Sequence, residues 1–356
     1  MSFSKRSLKL VACLSAFVFL IGSFACNSGG GGGTVTLQGA GASFPAPLYQ
    51  KWVSEYGKLH ANVRIDYQSI GSGGGIKQLK EQTVDFGASD APMKDEDLKS
   101  ASSEILHIPT VLGAVVLIYN LEGVNQPLRF TPELIADIYL GKIKTWNDPR
   151  IAAENSGVTL PAKDIIVVYR SDGSGTSAVF TDYLSKVSAE WKQKVGTGTS
   201  PNWPTGLGAK GNEGLTGQVK NTPNTIGYAE LAYAVQNKLA VAQVKNAAGN
   251  YVTPTIDAIT AAAAASAATT PDDLRVSITN AAGPDAYPIS SYTYILVYKD
   301  QKDAGEGKAL VDFLWWGIHD GQAHAKALQY APLPADIVKR AEGKISLVTS
   351  GGTPLR

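Results

Sequence analysis

The sequence predicts an α/β fold with a largely parallel sheet. Three observations lead there. Strand-like and helix-like segments alternate from residue 34 onward, the strand-like ones carry β-branched or aromatic residues, and several run directly into a glycine-rich turn that opens a helix. With 356 residues, 44% of them hydrophobic and 18% charged, the chain can bury a sizeable core and has the length of about two domains.

In chain order, 35–38 and 63–70 read as strands. Between them, Leu48, Trp52, Tyr56 and Leu59 recur at helical spacing over 47–59. A second helix is expected over 76–82. The apolar run 106–120 is interrupted by Pro109 and Gly113, so it reads as two strands meeting at a bend. Helices follow at 131–140, 176–187, 254–268, 304–319 and 334–342, and strands at 165–169, 226–229, 241–244 and 292–298. No repeat and no Gly/Ser/Pro linker divides the part after residue 34. Either one large domain or two lobes exchanging strands would fit, with 106–120 and 286–299 as the crossings.

Residues 1–25 read as an export signal. Lys5, Arg6 and Lys9 precede a largely apolar stretch over 10–25, shorter than the ~20 residues a membrane span needs. Ser23-Phe24-Ala25-Cys26 resembles a bacterial lipobox, although Ser23 stands where leucine is usual and Phe24 is atypical. Cys26 is followed by Asn27, Ser28 and the glycines 29–33. A lipid anchor at Cys26 with a flexible tether over 26–33, reaching about 16 Å, fits this pattern. The other reading is an ordinary signal that leaves Cys26 a free thiol. Cys13 departs with the signal, so no internal disulfide is available to the exported protein.

Bulk charge is uninformative about partners until the signal is removed. The whole chain has 32 basic and 31 acidic residues. Residues 1–25 contain three of the basic residues and none of the acidic, which leaves 29 against 31. Nucleic acid is therefore not an expected partner. The histidines His60, His107, His319 and His324 show no metal-ligand spacing, and no metal or other cofactor is expected. There is neither a P-loop nor a G-x-S-x-G turn.

A different device recurs. Gly39-Ala40-Gly41-Ala42-Ser43-Phe44-Pro45, Gly71-Ser72-Gly73-Gly74-Gly75 and Asp172-Gly173-Ser174-Gly175-Thr176 each link a strand to a helix start. Unpaired backbone N–H groups, the helix dipole and small hydroxyls together can hold an oxyanion without a full cation. Each turn taken singly also reads as a plain N-cap. Arg170 ends a strand four residues before Ser174 and could fork onto an oxyanion, with Asp172 holding its guanidinium. A surface ion pair is the plainer reading. Asp90, after Val84-Asp85-Phe86-Gly87-Ala88-Ser89, could equally be a cap for the acidic segment 94–99.

These motifs, with Lys210-Gly211-Asn212, Ile226-Gly227-Tyr228 and Trp203-Pro204, resemble the PstS high-affinity phosphate-binding proteins of bacterial ABC importers, over about 37–356. The resemblance implies a two-lobed periplasmic binding protein (type II) with two crossing strands and ligand in the cleft. It implies lobe 1 at 34–111 plus 287–356, lobe 2 at 112–286, and no catalytic residue. It further implies that Ser43, Phe44, Ser72, Asp90, Arg170, Ser174, Gly175 and Thr176 bind phosphate. Asp172 orients Arg170. In this resemblance Asp90 accepts a hydrogen bond from phosphate, which carries a proton near neutral pH where sulfate does not. The partners implied are inorganic phosphate and the permease subunits, with the receptor a monomer. A receptor for sulfate or molybdate, a phosphatase of the same fold and a regulatory or adhesion role stand as alternatives.

Overall fold

A computed structural model describes residues 33–124 and 126–356. The signal, Cys26 and most of the tether lie outside the described residues. Among the described residues, no helix is long and apolar enough to cross a membrane.

Among the described residues, nine strands make the main sheet. In chain order they are β1 (Val35–Gly41), β2 (Val63–Ser69), β3 (Phe86–Ser89), β4 (Ile105–Asn120), β5 (Ile166–Arg170), β6 (Leu207–Ala209), β7 (Thr225–Glu230), β8 (Ala240–Val241) and β9 (Ser290–Tyr298). Their order across the sheet is β2-β1-β3-β9-β4-β7-β5-β6, with β8 also on β4. The mixed α/β architecture is as expected, but the sheet is not largely parallel. Its two ends are parallel, at β2-β1-β3 and at β7-β5-β6. Its centre is antiparallel, at β3-β9, β9-β4 and β4-β7.

The run 106–120 is one strand, not two. Over Ile105–Ala114 it pairs with β9, and over Val115–Asn120 with β7. Pro109 is accommodated because the register slips at the next residue. Pro109 faces Tyr294 and Val111 faces Thr293, which leaves Thr110 as a bulge. Thr110 then bonds locally: its hydroxyl donates to Thr293 O and meets the Tyr49 hydroxyl. The expected strand 241–244 is also divided: β8 joins β4, and Gln243–Lys245 joins a separate small sheet.

Two aromatic clusters cover the ends of the sheet. On α1 (Ala46–Leu59), Trp52 and Tyr56 meet Phe313 and Trp316 of the helix Ala304–Ile318. At the other end, Phe180 of α3 (Gly175–Val187) stacks on Tyr228 and packs edge-on against Tyr139.

The second helix, α2 (Ser72–Lys80), begins earlier than the spacing predicts. Gly73, Gly74 and Gly75 form its first turn, because the absence of side chains lets the helix press onto β1. A β-carbon on Gly75 would lie 2.5 Å from Ala40 O and 2.5 Å from the Cα of Gly41. Gly75→Ala should therefore lower stability by about 1–3 kcal/mol, read as a lower urea midpoint with an unchanged slope.

Candidate functional site

The three glycine-rich starts converge at the carboxyl ends of parallel strands. Ser43 and Phe44 lie between β1 and α1, Ser72 opens α2, and Asp90 follows β3 directly. Arg170 is the last residue of β5, and Ser174 is the N-cap of α3. Ser43, Phe44, Ser72, Asp90, Arg170, Ser174, Gly175 and Thr176 are all buried. Asp172 is beside them, at the rim.

Contact between the two helix starts is close enough to demand glycine. A β-carbon on Gly175 would lie 2.2 Å from Ser72 Oγ and 2.5 Å from Asp90 Oδ2. Gly71, the N-cap of α2, has φ +86°, and a β-carbon there would lie 2.4 Å from Asp172 Oδ2. Gly73 N–H donates to Gly173 O at 2.8 Å across the same junction.

The donors are backbone as well as side chain. Among the described residues, the N–H groups of Ser43, Phe44, Gly175 and Thr176 donate to no protein acceptor. Three tyrosines hold the carbonyls of the first turn. Tyr67 Oη donates to Ala42 O, Tyr233 Oη to Ser43 O and Tyr330 Oη to Phe44 O, each at 2.6 Å. The Ala42 and Ser43 carbonyls share peptide planes with the Ser43 and Phe44 N–H groups, so Tyr67 and Tyr233 hold those two donors in direction, while the Phe44 carbonyl precedes Pro45 and Tyr330 anchors the end of the turn.

Arg170 is committed in part. Its Nε donates to Asp172 Oδ1 at 2.7 Å and its Nη2 to Asp172 Oδ2 at 2.5 Å. This fork leaves Nη1, which reaches Thr176 Oγ1 at 3.4 Å. Burial works against the Asp172 carboxylate. The Arg170 hydrogen bonds and charge, with Gly211 N–H at 3.0 Å, outweigh it and hold its pKa below the usual range.

Asp90 is the acceptor in this setting. Thr293 Oγ1 donates to its Oδ1 at 2.9 Å, while its Oδ2 is buried with no hydrogen-bond partner. Burial pushes its pKa up to about 7, against the pull of the Thr293 hydroxyl, the Arg170 charge and the Ser72 hydroxyl. A cavity of ≈ 660 Å³ adjoins Asp90, with Gly73, Val179, Thr199 and Ser291 among its walls.

All the expected residues are thus brought together, and others join them that the motifs did not single out. Thr293 and the three tyrosines carry no local signal, since they reach the site from distant elements. Asn212 lay within a quoted motif with no role attached.

The profile of the PBP superfamily domain matches residues 27–315. The phosphate-binding protein PstS of Xylella fastidiosa (strain 9a5c) is 47% identical over 310 residues, covering 87% of this chain and 84% of its own. The phosphate-binding protein PstS of Pasteurella multocida is 46% identical over 323 residues, covering 90% and 93%. Among solved structures, a phosphate-binding protein from Stenotrophomonas maltophilia superposes with a TM-score of 0.66 at 22% identity, covering 87% of this chain and 93% of that one.

The Asp90 shift has a stability consequence. Unfolded, this carboxyl titrates near 3.8; folded, near 7. Between those values the native state holds a proton that the unfolded chain has released, so stability falls as pH rises and the loss is complete above about 7. Asp90→Asn should raise the melting temperature of the phosphate-free protein at pH 8, and the difference should fade towards pH 4. Thermal melts across that range check it.

Proposed function

We propose that this chain, which belongs to the PstS family of phosphate-binding proteins, captures inorganic phosphate and delivers it to the permease of a phosphate ABC importer. The observation that carries the reading is Asp90 Oδ2, a buried acceptor without a partner among converging donors. An anion made only of acceptors would oppose it. Phosphate near neutral pH still carries a proton to donate, so it satisfies both the donors and Asp90. Sulfate leaves acceptor facing acceptor, which costs heavily in a buried site.

In this reading the Ser43, Ser72, Ser174 and Thr176 hydroxyls, the N–H groups of Ser43, Phe44, Gly175 and Thr176, and Nη1 of Arg170 hold the phosphate oxygens. Asp172 orients Arg170. The moving bodies are 34–111 with 287–356, and 112–286, hinged about β4 and the entry to β9. Contacts such as Gly73 N–H to Gly173 O belong to the closed form. The closed receptor, a monomer, docks on the permease. Residues 1–25 direct export, and Cys26 carries a lipid that holds the receptor at the membrane through the tether 26–33. Binding is the whole of the chemistry: the site presents fixed donors and one acceptor, and the relatives are named as binding proteins.

Calorimetric titration of the purified protein with phosphate and with sulfate tests the reading. Phosphate should bind tightly and sulfate poorly, and tight sulfate binding at pH 8 would overturn it. Discrimination should grow as pH rises through about 7, because a protonated Asp90 can donate to sulfate and an ionised one cannot. Asp90→Asn should bring the two anions closer in affinity. Arg170→Ala should weaken phosphate binding by about 10–100-fold, the value of a charge-assisted hydrogen bond. Turnover of a phosphomonoester by the pure protein, abolished by these same changes, would favour an enzyme instead.

A further inference from the structure

Asn212, in the first turn of α4 (Gly211–Asn221), is fully buried and touches the site from the β5–β7 side. Its Oδ1 accepts from Glu230 N–H at 3.1 Å, which settles the orientation of its amide. Both hydrogens on Nδ2 must then point the other way. Nδ2 donates to Ser43 Oγ at 2.9 Å and to Thr176 Oγ1 at 3.1 Å. The Asn212 backbone N–H adds a further bond to Ser43 Oγ at 3.2 Å.

A hydroxyl has one hydrogen and two lone pairs. On Ser43 both lone pairs are engaged by Asn212. On Thr176 they are engaged by Asn212 and by Nη1 of Arg170 at 3.4 Å. Among the described residues, neither hydroxyl hydrogen has an acceptor. Each is left with one role, to donate.

We infer that Asn212 is a positioning residue that commits the Ser43 and Thr176 hydroxyls to act as donors to the bound oxyanion. This rests on the phosphate reading above and extends it to a residue outside the proposed ligand contacts. A free hydroxyl can turn a lone pair towards an anion and repel it; Asn212 removes that orientation at Thr176 within its own body, and at Ser43 as the two bodies close on the ligand. Ser43 and Thr176 also belong to opposite ends of the sheet. The full set of bonds therefore forms only when those ends meet, and donor polarity is coupled to closure.

The test compares one substitution in two backgrounds, by calorimetric titration of the purified protein with inorganic phosphate. In the natural chain, Asn212→Ala should weaken phosphate binding by about 10–100-fold, roughly one hydrogen bond's value for each hydroxyl released. In a Ser43→Ala, Thr176→Val background the same change should cost less than about threefold, because the hydroxyls it acts through are gone. A merely structural role predicts an equal factor in both backgrounds, and that result would overturn the inference. Asn212→Leu, an uncharged change of similar size, runs through the same cycle with the same two outcomes should the alanine variant fail to fold. Failure of the natural chain to bind phosphate would instead overturn the phosphate reading itself.

Discussion

Arg170 is the only cation among the residues proposed to contact the ligand, and its guanidinium is already forked onto Asp172 through two short hydrogen bonds. The pair is buried, with the Arg170 side chain 1% and that of Asp172 10% exposed. Such a pair cannot be broken cheaply, since either partner left alone would be an uncompensated buried charge. Arg170 thus offers a direction more than a spare charge. With Asp172 beside it and Asp90 across from it, the site carries no excess of positive charge, so the anion has to be held by oriented dipoles.

Much of the surrounding structure supplies that orientation. The parallel ends of the sheet aim helix starts at one point, and glycine at positions 71, 75 and 175 lets them approach to contact. Tyr67 and Tyr233 pin the Ala42 and Ser43 carbonyls so that the Ser43 and Phe44 N–H groups face the other way, and Tyr330 anchors the Phe44 carbonyl at the end of the turn. Asn212 does for the hydroxyls of Ser43 and Thr176 what the tyrosines do for the peptide planes. Preorganised donors avoid the reorganisation that water would undergo around the same ion, which is why neutral groups suffice.

The same logic explains why one acceptor is tolerated among so many donors. Asp90 directly follows β3, whose last residue Ser89 faces Tyr294 of β9, and the Thr293 hydroxyl next to it donates to Asp90 Oδ1. Its second oxygen stays unpaired at a cost to the phosphate-free protein. In the proposed reading, a ligand with a hydrogen of its own relieves that cost.

The order of residues along the chain encodes the α/β class, most helices, and the local turns at Ser43, Ser72 and Ser174, because glycine, small hydroxyls and β-branched runs act on their immediate neighbours. It also marked Arg170 with Asp172, two residues apart, as a pair. It misplaced the start of α2, since glycines that usually end a helix are kept in one here by tight packing against β1. It read β4 as two strands, because Pro109 is a breaker in isolation and only its partner strand can absorb the slip. The tertiary structure alone decided that the three starts meet, that Tyr330 reaches Phe44 across 286 positions and that Asn212 reaches Ser43 across 169. It also decided that Asp90 is a buried acceptor with one oxygen unpartnered, and not a helix cap. These are contacts between residues far apart in the chain. Their energies depend on burial and on distance in space, and neither quantity is written in the order of residues along the chain.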